Sequence, residues 1–163
     1  MWRTRRLTII GVLLVSCATS ATTPAADRSA DERELRRMHQ TVLDAHLRSD
    51  VELLFRDAAD DYAVANRGEI SHPTGGELRA RLGPYLEATR FEVYRDLVEP
   101  VVKVSADGSL GWVMVQVEAR GKQRTGNGET ELLEFVSAWI ELYEKRDGKW
   151  LRVGNVSNFK PNE

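Results

Sequence analysis

The chain has 163 residues, 23 Lys and Arg against 25 Asp and Glu, a formal charge of −2, and a single cysteine. A chain of this length builds one ordinary domain around one core. Its mild acidity argues against a nucleic-acid binder, which needs a basic footprint, and a lone cysteine rules out a disulfide framework.

Arg3, Arg5 and Arg6 open the chain, and an apolar run follows from Leu7 to Val15, interrupted only by Thr8 and Gly11. A bilayer span needs roughly 20 apolar residues, so this run is too short to cross. Its basic front and its length are those of a signal-peptide hydrophobic region. Leu14-Val15-Ser16-Cys17 then resembles the bacterial lipobox, with a large aliphatic and a small residue before the cysteine. That resemblance implies removal of residues 1–16, acylation of Cys17 (palmitate among the chains), and anchoring in a lipid bilayer. More than one acyl chain holds a protein firmly where a single chain does not. Ala18, rather than aspartate, after the cysteine points to an outer membrane and the periplasm in a Gram-negative source, and otherwise to the cell surface. Residues 17–30, "CATSATTPAADRSA", read as a lipidated flexible tether. It would hold a domain of residues 31–163 about 20 Å from its lipid.

Ser29-x-x-Glu32 has the pattern of a capping box, and a helix follows to about Leu47. At helical spacing Leu35, Met38, His39, Val42, Leu43, Ala45 and His46 share one arc, with Arg33, Arg37, Gln40, Asp44 and Arg48 opposite. Ser49-x-x-Glu52 caps a second, short helix. "DYAVAN", Arg67-Gly68 and "EISH" form a hairpin. Thr74-x-x-Glu77 opens a third helix that is expected to break at Gly83-Pro84.

From Phe91 the period changes to two. "LVEPVVKVS" and "LGWVMVQVEA" flank Asp107-Gly108, and "LLEFVSAWIELYEK" and "WLRVGNVSNF" flank Asp147-Gly148, with Asn127-Gly128 between the hairpins. Helices and strands segregate, so the fold class is α+β: an antiparallel meander packed on the N-terminal helices. Trp112 and Met114 alternate with Val113, Val115 and Val117, so both faces of this strand are apolar. Helices can cover one face only, and a second copy of the chain is expected on the other, as a homodimer.

The helix ending in "LRSD", the passage "VELLFRDAADDYAVANRGE" and the terminal "ELYEKRDGKWLRVGNVSNF" together resemble the nuclear transport factor 2-like superfamily, which includes ketosteroid isomerases and the SnoaL-like cyclases. The resemblance runs from about Leu35 to Phe159. It implies a cone-shaped, cystatin-like curved sheet with a pocket between the sheet and the first helices. His39, His46, Tyr62, Asn66, and Trp112 or Trp139 are the residues expected to line it.

No complete catalytic constellation is present. His39 and His46 are candidate acids or bases because imidazole titrates near neutrality. Glu141, on a strand face with Trp139 and Tyr143, is the one candidate sheet carboxylate, although a solvated or interfacial position is the plainer expectation for it. The full tyrosine–aspartate arrangement of ketosteroid isomerase is missing. His39 and His46 stand roughly 10.5 Å apart along a helix axis, against a spacing of four residues in compact zinc pairs, so no metal is assigned, and no cofactor. Asp57, Asp60 and Asp61 lack the glycine and distal glutamate of a calcium loop. The favoured function is a membrane-anchored envelope protein, non-enzymatic, whose domain binds a small apolar or amphipathic molecule or an envelope partner, or serves as a scaffold. The alternative is a small isomerase, cyclase or dehydratase using a pocket histidine.

Overall fold

A computed structural model describes residues 28–159. The order is α1 (Arg28–Leu47), α2 (Val51–Leu54), β1 (Ala58–Asn66), β2 (Glu69–Ser71), α3 (Gly75–Ala88), β3 (Thr89–Asp96), β4 (Val101–Val104), β5 (Leu110–Arg124), β6 (Thr130–Arg146) and β7 (Lys149–Phe159). The signal region and Cys17 lie outside the described residues.

The α1 arc packs as its period requires. Leu35, Met38, His39, Val42, Leu43 and Ala45 are buried against the sheet, while Arg33, Arg37, Gln40 and Arg48 are exposed. The helix already includes Arg28, so Ser29 lies inside it rather than capping it, and the tether gives up its last residues to α1. At α2 the cap is Asp50, whose carboxylate accepts from Leu53 N at 2.8 Å. Ser49 takes a left-handed backbone (φ 53°) and donates its hydroxyl to the Thr89 carbonyl. The Thr74–Glu77 capping box forms in both directions.

The expected break at Gly83-Pro84 does not occur, and α3 runs through Pro84 to Ala88. Proline costs one backbone hydrogen bond there. The continued turn carries Leu86 to full burial and Tyr85 onto the core, and that packing offsets the loss.

One sheet holds all the strands in the order β2-β1-β7-β6-β5-β3, with β4 also on β5. The stretch before Asp107-Gly108 is not one strand. Pro100 has no N–H to give a ladder, and the chain divides into β3, paired along Val117–Gln123, and β4, paired along Gly111–Met114. The four tight turns use positive φ at Arg67-Gly68, Gly108, Gly128 and Asp147-Gly148. A parallel pair, β1 on β7, closes the other side of the sheet. At its bulge a Cβ on Gly154 would lie 2.5 Å from the Ala63 carbonyl oxygen, so only glycine lets these backbones meet.

The faces divide as the alternation predicts. Val113, Val115, Val117 and Ala119 look inward onto the helices. Trp112 and Met114, together with Leu110, Val101 and Val156, fall on the outer face, where Leu110 is 54% and Val101 47% exposed.

Candidate functional site

The inward face of β6 carries a carboxylate. Glu141 alternates with Trp139 and Tyr143, and its register partner on β5 is Val113. The expectation of a solvated or interfacial charge fails: Glu141 is 1% exposed. Its neighbours make burial tolerable. The Trp139 indole N–H donates to Oε1 at 2.9 Å and the Tyr143 hydroxyl donates to Oε2 at 2.6 Å. His39 completes the set from α1, donating from Nδ1 to Oε1 at 3.1 Å, while its Nε2 donates to Asp96 Oδ1 at 3.0 Å.

An imidazole between two carboxylates is an imidazolium. Burial works against the charge on His39, but the bonds and charges of Asp96 and Glu141 outweigh it and raise the pKa to about 9. Burial likewise opposes the Glu141 carboxylate, yet the His39 bond and charge, with Arg152 and Tyr143, bring its pKa down to about 2. This is a buried, hydrogen-bonded ion pair at the closed end of the helix–sheet interface.

Next to it opens a cavity of about 620 Å³, within the range of small-molecule sites. α1 supplies His46, the α2 region Leu54 and Phe55, β1 Tyr62, Val64 and Asn66, and α3 Leu78, Leu82 and Tyr85. The sheet adds Tyr94, Phe135, Trp139, Glu141, Arg152 and Asn155. The wall is mainly apolar, with polar side chains from α1 (His46), β1 and its turn (Tyr62, Asn66, Arg67), α3 (Arg81), β6 (Ser137, Glu141) and β7 (Arg152, Asn155, Ser157).

His46 stacks flat on Tyr94, ring centroids 4.1 Å apart and planes at 9°. A carbonyl only accepts, so the 2.8 Å contact with Val42 O places the proton on Nδ1. Burial is the main force on this ring, and it lowers the pKa to about 4 against the pull of Val42. His46 is therefore a neutral ring in the cavity wall. Tyr62 reaches Asn155 Oδ1 at 3.3 Å with its hydroxyl, the partner that a buried phenol requires.

Of the residues expected around the pocket, the structure brings together His46, Tyr62, Asn66 and Trp139. His39 does not join them, because its two carboxylate partners hold it behind the wall. Trp112 does not join them either, because strand parity puts it on the outer face opposite Val113. Sequence reasoning missed Arg152, Asp96, Tyr94 and Asn155. For Arg152 a signal existed: it alternates with Trp150 and Gly154, and all three are buried, so a charge sits in a core stripe of β7.

The arrangement is poorly suited to proton transfer at neutral pH. A general base works best with a pKa near the operating pH. Glu141 is held far below that, with both oxygens occupied, and His46 is a weak base. Among the described residues no group of three His, Cys, Asp or Glu side chains is placed to hold a metal ion.

No family model and no curated protein matches the sequence. Solved structures do match. A nuclear transport factor 2-like protein from Salmonella enterica superposes with a TM-score of 0.64 at 13% identity, over 82% of this chain and 94% of that one. This is the nuclear transport factor 2-like fold. A ketosteroid isomerase-like protein from Erwinia carotovora atroseptica gives 0.63 at 16% identity, over 81% and 98% of the two chains. The association domain of the C. elegans calcium/calmodulin-dependent kinase CaMKII gives 0.57 at 17%, over 80% and 97%. At these identities the likeness establishes the α+β cone and its curved, mostly antiparallel sheet, and leaves activity to the site itself.

Proposed function

We propose that the chain is a non-enzymatic, membrane-anchored envelope protein whose nuclear transport factor 2-like domain takes a small amphipathic molecule into its cavity. The observation that carries this reading is a mainly apolar chamber of about 620 Å³ whose two candidate acid–base groups, Glu141 and His46, are already committed to hydrogen bonds. Glu141 accepts from His39, Trp139 and Tyr143, which leaves recognition rather than acid–base chemistry as the use of the space. Binding of the neutral fluorophore N-phenyl-1-naphthylamine tests it. One probe should bind per chain, and Leu133→Trp, which narrows the chamber from a half-buried wall position, should weaken binding without lowering the melting temperature. Unchanged binding in Leu133→Trp would remove the cavity from the account.

Anchoring rests on the lipobox-like Leu14-Val15-Ser16-Cys17. Labelled palmitate should be incorporated and lost in Cys17→Ala, and a mutant that keeps both its label and its detergent partition would refute acylation at this cysteine. The exposed apolar outer face, with Leu110, Met114 and Val156, supports a homodimer. The likeness to a domain named for association points the same way. Light scattering that finds a monomer at micromolar concentration would dismiss it.

A further inference from the structure

Four charged residues line the cavity: Arg67, Arg81, Arg152 and Glu141. Arg67 and Arg81 are exposed, and the Glu141 carboxylate shares the His39 imidazolium with Asp96, so three cations face one carboxylate. The net wall charge is therefore positive, in a chain whose overall charge is −2.

Arg152 is the centre of that charge. It is 7% exposed and forms no ion pair among the described residues. Glu141 acts on it only through space. A guanidinium offers five N–H donors. Here one nitrogen, Nη2, donates to the Leu54 carbonyl at 2.5 Å, and Nε is buried with no acceptor. The faces of Phe55 and Tyr62 lie 5.8 and 5.9 Å from the cation and orient it without supplying an acceptor. A buried cation with unfilled donors is costly unless an anion completes it. Elsewhere in this chain an arginine beside a carboxylate takes it, as Arg146 takes Asp61 with two nitrogens.

On the reading that this cavity is a ligand site, we propose that its ligand is an apolar carboxylate. The carboxylate sits on the Arg152 guanidinium, and an aromatic or aliphatic body packs against Phe55, Tyr85, Tyr94 and Phe135. A planar carboxylate matches a single guanidinium in geometry and in charge. The neutral His46 and the stacked Tyr94 next to it furnish a flat apolar surface for the body.

The test compares three probes of one shape on the full-length chain by titration calorimetry: 2-naphthoate, 2-naphthalenemethanol and 2-naphthylmethylamine. Naphthoate should bind about ten-fold or more tighter than the alcohol, and the amine weakest of all. Arg152→Gln should bring naphthoate down to the alcohol's affinity and leave the alcohol unchanged, while Arg152→Lys should keep part of the preference. If Arg152→Gln fails to fold, the ranking of the three probes on the unaltered chain still decides. Equal binding of naphthoate and alcohol would overturn the carboxylate and leave a ligand cavity standing. Failure of all three would overturn the cavity reading and this proposal with it.

Discussion

Two histidines on one helix face meet opposite fates in this molecule. His39 and His46 share the inward arc of α1, two turns apart, and nothing in their local sequence separates them. At His39 the sheet presents Glu141 and β3 presents Asp96, and the ring is charged, with a pKa raised to about 9. At His46 the sheet presents Tyr94 and Phe91, the helix presents its own Val42 carbonyl, and the ring is neutral, with a pKa lowered to about 4. The contrast divides the interior into a closed, ionised end that fixes α1 to the sheet and an open, uncharged end that can admit a guest. Desolvation opposes the charge on both rings, and their protonation differs because hydrogen-bonded carboxylates overcome it and an aromatic face does not.

The largest expected effect breaks the ionised end. His39→Ala leaves Glu141 buried and short of its cationic partner, which should cost about 3–5 kcal/mol. His46→Ala removes a ring stack and one backbone hydrogen bond, which should cost about 1–2 kcal/mol. Urea denaturation of the two mutants measures the difference, and equal losses would erase the division.

The pH dependence is the next largest. His39 has a folded pKa above its unfolded value of 6.5, so its contribution is complete below 6.5 and is lost as pH rises toward 9. His46 has a folded pKa below 6.5, so folding is favoured above 6.5, and this contribution is lost as pH falls toward 4. Glu141, lowered from 4.5 to about 2, adds a further loss as pH falls below 4.5. Stability should peak near neutrality and fall on both sides, each histidine limb being on the order of 3 kcal/mol. His39→Gln should remove the alkaline limb and, by taking away the cation that holds Glu141 low, shrink the loss below pH 4.5 as well, whereas His46→Phe should flatten the descent between pH 6.5 and 4.5 alone. A mutant that flattened the wrong limb would reverse the assignment.

The smallest effect sharpens the open end. His46→Phe keeps an aromatic ring against Tyr94 and gives up only the bond to Val42 O, so stability at pH 7 should stay within about 1 kcal/mol. Binding of N-phenyl-1-naphthylamine should persist in this variant, since the wall stays apolar; its loss would make His46 a specific ligand contact.

Much of this architecture follows from local pattern. Helical spacing decides which α1 residues are buried, because 3.6 residues per turn leave one stripe to face the sheet. Strand alternation puts Val113, Val115 and Val117 inside and Trp112 outside, and Asp147-Gly148 and Arg67-Gly68 adopt the positive φ that their turns need. Sequence also placed Glu141 on a face with Trp139 and Tyr143, and the resemblance named Tyr62 and Asn66 among the pocket residues. Neither showed what those residues look onto. His39 meets Asp96 across 57 residues of chain and Glu141 across 102, and Tyr62 meets Asn155 across 93. The parallel pairing of β1 with β7 joins distant segments with no local signature, yet it brings Tyr62 and Arg152 to one chamber. Periodicity is a property of neighbouring residues and determines the direction of a side chain. Protonation, and the open donors of Arg152, depend on charges a few ångströms away in space, and only the tertiary fold decides which charges those are.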